Sequence, residues 1–158
     1  MKKVTLIEKA IFAAGCFWHV QAAFDAVLGV KKTTVGYMGG KVKNPSYEVV
    51  CTHLTGHAEV CQVEFDAKKV SYLKLLQVFW KMHDPTQKNR QGLDIGNQYR
   101  SAIFYHTEEQ RKIAEESRKK EQKKYEKPIV TEIVPATEFY SAEEYHQKYL
   151  EKRGRKVC

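Results

Sequence analysis

The residues best equipped for chemistry begin at Gly15-Cys16-Phe17-Trp18, where a β-rich run from Lys9 to Ala14 meets a helical pattern. A helix start offers free N–H groups and the positive end of the helix dipole, which stabilise a thiolate at Cys16. Gly15 permits close backbone approach, and at least one of Phe17 and Trp18 can form an apolar wall beside the sulfur. A buried structural cysteine opening an amphipathic helix is the blander alternative. No Cys-x-x-Cys accompanies this helix, which argues against a redox pair of that type. A sulfur nucleophile needs a base, or a substrate that is protonated as it is attacked. Thr55-Gly56-His57-Ala58-Glu59 supplies a carboxyl at a strand start, and Glu59 shares a face with Cys61, Val63 and Phe65. Desolvation there disfavours the carboxylate and makes Glu59 a proton donor near neutrality. A solvated strand-end glutamate is the competing reading.

These residues need elements to present them. Lys9 to Ala14 reads as a strand, then Phe17, Val20, Phe24, Val27 and Leu28 recur at helical spacing as far as Gly29. Val30 to Tyr37 is β-rich, and a polar loop with Asn44-Pro45 leads to a short segment, Tyr47 to Thr52. Glu59 to Phe65 alternates as a strand. Ser71 caps a predicted helix with the stripe Tyr72, Leu75, Leu76, Phe79, Trp80 and His83, stopped by Asp84-Pro85. Thr86 to Gln98 is a polar loop of a length that is often functional. Tyr99 to His106 and Ile129 to Val134 read as strands, and Thr107 to Gln110 and Ser141 to Glu144 fit capping boxes that open helices. Several neighbouring strands lack the crossover that an all-parallel sheet requires. The expectation is a two-layer α+β sandwich with a mixed or antiparallel sheet. No repeat or linker divides the chain, so residues 1–150 are expected to form a single catalytic domain and 151–158 a mobile basic tail carrying Cys158.

The chain has 158 residues, enough to bury a continuous core without disulfides or metals. At 42% hydrophobic and 11% aromatic it is neither disordered nor collagen-like. No apolar run approaches the roughly 20 residues of a membrane span. Glu8 and Lys9 interrupt the apolar stretch after Met1-Lys2-Lys3, so a signal peptide is not expected and the location is read as cytoplasmic. Four cysteines, Cys16, Cys51, Cys61 and Cys158, are too few and too unevenly spaced for a secreted disulfide framework. The formal charge of +8 raises the question of acidic partners, but the unbalanced excess sits largely in Lys152-Arg153-Gly154-Arg155-Lys156. Neither nucleic acid nor membrane is expected as a partner, and the protein is expected to be a monomer. Cys51, His53, His57 and Cys61 invite a zinc reading, but Cys61 belongs to a regular strand and no short Cys-x-x-Cys knuckle is present. No metal and no other cofactor is expected. His83, His106 and His146 are read as packing or hydrogen-bonding residues.

Several segments together resemble the methionine sulfoxide reductase A family. They are Gly15-Cys16-Phe17-Trp18, Thr34-Val35-Gly36-Tyr37 with Gly39-Gly40, Asn44-Pro45-Ser46-Tyr47 and Thr55-Gly56-His57-Ala58-Glu59. Further along come Phe79-Trp80 with His83-Asp84-Pro85, Gln98-Tyr99-Arg100-Ser101 and Glu144-Tyr145-His146-Gln147-Lys148-Tyr149-Leu150. They occur in the family's order over almost the whole chain. The resemblance implies a ferredoxin-like core and reduction of the S epimer of methionine sulfoxide, free or in proteins. It implies Cys16 as nucleophile, Glu59 as proton donor to the sulfoxide oxygen, and Tyr47 and Tyr99 as hydrogen-bond donors to that oxygen. Asp94 matches an acidic residue that orders the site through polar contacts, and Phe17 and Trp18 match the pocket for the S-methyl group.

Attack in such an enzyme leaves a sulfenic acid on Cys16, which a second thiol resolves to a disulfide for thioredoxin or a similar reductant to reduce. Cys158 is the expected resolving residue, with Cys51 as the alternative. Cys61 falls on a packed strand, and the Cys51 segment is short. The eight residues after Leu150 span about 27 Å when extended. Arg153, Arg155 and Lys156 stabilise a Cys158 thiolate, and Gly154 supplies flexibility. The chain departs from the family pattern at His19, where Gly is common, and at Gln21, where Glu is frequent. Neither is given a catalytic role. Two rival functions follow from the residues alone: a cysteine hydrolase or acyltransferase using Cys16 with His57 or His19 as base, and a basic nucleic-acid-binding module.

Overall fold

The computed structural model describes residues 6–152. Strand β1 (Ile7–Ala14) has its last five residues buried, and alternation splits them between the two sheet faces. Ala10, Phe12 and Ala14 enter the larger core, while Ile11 and Ala13 enter a smaller one with Met38, Val60 and Phe104. Helix α1 (Phe17–Asp25) follows directly and buries Phe17, Val20 and Phe24. It is shorter than the spacing predicted. Val27 N–H bonds back to the Phe24 carbonyl, Gly29 takes a φ of +98°, and Leu28 is left 90% exposed in the turn.

Strand β2 (Val30–Met38), the four-residue helix α2 (Tyr47–Val50) and strand β3 (Ala58–Asp66) come next. Helix α3 (Tyr72–Met82) is capped by the Ser71 side chain, which accepts from Lys74 N–H at 3.0 Å. Its stripe Leu75, Leu76, Phe79 and Trp80 is buried as expected. The predicted loop after Pro85 contains a small hairpin, β4 (Arg90–Gln91) with β5 (Asp94–Ile95), and a 3-10 turn over Asn97–Tyr99. Tyr99 therefore precedes strand β6 (Ser101–Tyr105) rather than belonging to it. Helix α4 (Glu108–Gln122) is capped by Thr107, and strand β7 (Glu132–Pro135) is shorter than the predicted one. Ile129 N–H is instead taken by the Gln122 side chain and Val130 N–H by the Pro85 carbonyl.

The second predicted capping box does not form. Ser141 belongs to the edge strand β8 (Tyr140–Ser141), paired with Gly36 and Tyr37 of β2, and only a 3-10 turn, Glu144–His146, follows before α5 (Tyr149–Lys152). Edge pairing and tertiary hydrogen bonds outcompete the local capping pattern.

Among the described residues, six of the eight strands form one sheet in the order β7-β6-β1-β3-β2-β8, all neighbours antiparallel except β6 and β7. That parallel pair is joined by α4, the crossover such a pair requires. Within the sheet, β1-α1-β2-β3-α3-β6 has the ferredoxin-like order, with α1 and α3 packed together over β1. The fold is α+β with a mixed sheet, as read from the sequence. Helix α5 runs across position 150, and the tail beyond Lys152, with Cys158, lies outside the described residues.

Candidate active site

Cys16 is the residue that caps α1, half-exposed at the end of β1. Gly15 makes this junction possible: its φ is +93°, and a Cβ there would lie 2.9 Å from the Gln91 side chain. The first N–H of the helix, from Phe17, donates to Oε1 of Glu59 at 3.3 Å. Glu59 is the second residue of β3 and only 1% exposed. A buried carboxyl is thus held at the helix end, one residue from the thiol.

Phe17 is completely buried and forms a floor, its ring 5.7 Å from Tyr37 and 6.4 Å from Tyr47. Trp18 is half-buried, and its indole stacks on Tyr149 with ring centroids 3.8 Å apart. Tyr47 opens α2 and Tyr99 ends the 3-10 turn before β6; both are half-buried. Burial above all pushes both hydroxyls well above the ordinary tyrosine value, so both remain O–H donors. The charges of Cys51, Asp94 and Cys16 add to this at Tyr99. Asp94 is exposed on β5 and lines a cleft of about 280 Å³ with Cys16, His19 and Gln91.

Sequence reasoning missed the second half of this site. Glu143 accepts the Tyr37 hydroxyl at 3.0 Å on one oxygen and Tyr47 N–H at 3.0 Å on the other. Burial pushes its carboxyl up. The Tyr47 and Glu143 N–H groups and the Tyr37 hydroxyl outweigh burial and hold it below the ordinary range. His146, read as a packing or hydrogen-bonding residue, accepts the Trp18 indole N–H at 2.9 Å. Gln21, the departure from the family's Glu, is buried and receives Lys148 N–H at 2.7 Å. The one available signal was the Glu144-to-Leu150 motif, which starts a residue after Glu143.

The zinc candidates are otherwise engaged. His57 accepts Gly40 N–H at Nδ1 and donates from Nε2 to the Val42 carbonyl, while His53 reaches Gln98. Cys61 is fully buried in the larger core, where burial pushes its thiol far up. Among the described residues no three potential ligands gather around a metal position. No helix of the described residues is long and apolar enough to cross a membrane.

His57, one of the two bases a hydrolase would call on, is thus turned to structural work. A thiol beside a buried acid and two hydroxyls suits attack on an atom whose oxygen must be protonated as the new bond forms. That is the chemistry of a thiol-dependent reductase.

The family profile described as peptide methionine sulfoxide reductase matches residues 8–158. The peptide methionine sulfoxide reductase MsrA of Geobacter sulfurreducens is 57% identical over 160 residues, covering 100% of this chain and 99% of that protein. Among solved structures, Mxr1 of Saccharomyces cerevisiae in reduced form superposes with a TM-score of 0.91 at 35% identity, covering 96% of this chain and 88% of the other. The same protein in complex with Trx2 matches with a TM-score of 0.66 at 25% identity, covering 90% and 84%. The chain belongs to the peptide methionine sulfoxide reductase family.

Proposed function

We propose that this protein reduces the S epimer of methionine sulfoxide, free or in proteins, with Cys16 as nucleophile and Glu59 as acid. The observation that carries this is the Phe17 N–H to Glu59 bond of 3.3 Å, which fixes a buried carboxyl beside the capping thiol. Burial favours the neutral acid, the form that can protonate the sulfoxide oxygen. Tyr47 and Tyr99 donate to the same oxygen, and Trp18 over Phe17 receives the methyl group. Asp94 orders the approach beside Tyr99. The Cys16 sulfur bonds to the protonated sulfoxide and takes over its oxygen. Methionine leaves, and Cys16 becomes a sulfenic acid.

Cys158 then attacks that sulfur, releasing water and forming a Cys16–Cys158 disulfide. Support comes from the other thiols: Cys61 is sealed in the core, and burial also pushes the Cys51 thiol up, although its hydrogen bond from Tyr47 opposes this. Residues 1–150 act as a monomeric catalytic unit, with 151–158 as the tail that delivers Cys158. Thioredoxin or a similar dithiol reduces the disulfide; the Mxr1–Trx2 complex shows such an encounter for the yeast relative. A reducing cytoplasm is the compartment that supplies it. Peptide mass spectrometry after one turnover tests the resolving step. A Cys16–Cys158 bridge is expected, and a Cys16–Cys51 or Cys16–Cys61 bridge in the unaltered protein contradicts it.

A further inference from the structure

One buried ring of the site belongs to a residue the chemistry above does not use. His146 is 1% exposed, and its ring centroid lies 5.2 Å from Phe17, 5.6 Å from Trp18 and 4.4 Å from Tyr47. Its Nδ1 accepts the Trp18 indole N–H at 2.9 Å. An accepting Nδ1 places the ring proton on Nε2, and Nε2 is buried with no hydrogen-bond partner among the described residues. Burying a donor that no protein group accepts is unfavourable, and a phenyl ring would fill the same space without that penalty. What histidine alone supplies here is the acceptor at Nδ1. Burial lowers the imidazole pKa, against the opposing charge of Glu143, which keeps the accepting form.

The acceptor completes what stacking cannot do. Tyr149 lies parallel to the Trp18 indole within 12°, which fixes the plane of the ring but not its rotation within that plane. The hydrogen bond to His146 fixes the rotation. We propose that His146 is the positioning residue of the apolar wall, holding the Trp18 indole in the one orientation that receives the S-methyl group. The proposal rests on the methionine sulfoxide reading for its substrate and on geometry alone for the indole.

The test pairs His146→Phe with His146→Asn, whose Oδ1 falls close to the position of Nδ1. Both are made in a Trp80→Phe background, so that Trp18 is the only tryptophan of the two in the chain. Trp80 lies in the core against Ser117 and outside the site. His146→Phe is expected to raise KM for methionine S-sulfoxide about 10-fold, in the range for a misfitted methyl contact. The single-turnover reductase rate at saturating substrate should stay within about threefold, because Glu59 and both hydroxyls are untouched. Time-resolved anisotropy of Trp18 should show faster local motion, and His146→Asn should restore both readings toward the parent. His146→Leu serves if the phenyl ring is not accommodated. A folded apolar variant with parental Trp18 anisotropy overturns the proposal, as does an Asn variant no better than Phe. The anisotropy needs no substrate, so a parent protein that fails to reduce methionine sulfoxide removes the functional reading and leaves this inference separately decided.

Discussion

Cys16 and Glu59 stand on the cap of a helix and the second residue of a central strand, whereas Glu143, His146 and Tyr149 stand on a segment with one 3-10 turn and a four-residue helix. The first half is placed by backbone ladders: β3 pairs with β1 on one side and β2 on the other. Individual side chains hold the second half. Gln147 accepts Val35 N–H and donates to the Val35 carbonyl, each at 2.9 Å, imitating a strand at the edge of β2. Lys148 adopts a left-handed φ of +57° and binds Asp25 and Thr33 through Nζ. In the proposed reaction this difference separates chemistry from pocket shape. Damage to the first half should appear in the rate of the reductase step, and damage to the second in stability and substrate affinity.

Glu59→Gln cuts deepest into the first half. It keeps the side-chain shape but cannot deliver a proton, so the single-turnover rate should fall about 10²-fold or more. A near-parental rate would make Glu59 a structural residue and dissolve the contrast.

His83 ties the same half to pH. It ends α3, donating to the Phe79 carbonyl at 2.7 Å and accepting from Ser101 at 2.8 Å. Burial, against the Phe79 carbonyl and Asp84, pushes it down to about 4. Between about 4 and the ordinary 6.5 the unfolded chain binds the extra proton and the folded one does not. Stability is therefore full above pH 6.5 and declines toward pH 4, by at most about 3 kcal/mol from this group. Denaturant titrations across that window should show the decline, and His83→Gln should flatten it.

Gln147→Ala strips three hydrogen bonds from the second half, to Val35 N–H, the Val35 carbonyl and the Ala142 carbonyl. A loss of about 2 kcal/mol of stability is expected, with the saturated reductase rate changed by less than about threefold. A rate loss like that of Glu59→Gln would show that the two halves do not divide the work.

Tyr47→Phe and Tyr99→Phe should each slow the reductase step about 10-fold, since either hydroxyl partly replaces the other. The double variant should be slower than both. A double variant no worse than the singles would contradict a shared oxygen.

The same contrast governs what could be read from residues alone. β1, β3 and α3 follow from alternation, helical spacing and the Ser71 cap, and Cys16 and Glu59 fall where those periods end. The 3-10 turn over Asn97–Tyr99 shortened a predicted strand, and the hairpin before it went unread because two-residue strands carry too few positions to show a period. Ser141 to Glu144 resembled a capping box, yet Glu143 is committed to Tyr37 and Tyr47, 106 and 96 residues away in sequence. Partners that distant have no local signature. The partner of His146 was hidden likewise, because it is Trp18, 128 residues earlier.

The central claim is that a thiol at Cys16 performs an oxygen transfer from one epimer of methionine sulfoxide. The most direct measurement is methionine formed in a single turnover, with dithiothreitol absent, from each pure epimer by the parent protein and by Cys16→Ser. About one methionine per chain from the S epimer, essentially none from the R epimer, and none from the serine variant is the predicted result. Equal yields from both epimers, or substantial product from Cys16→Ser, would contradict it.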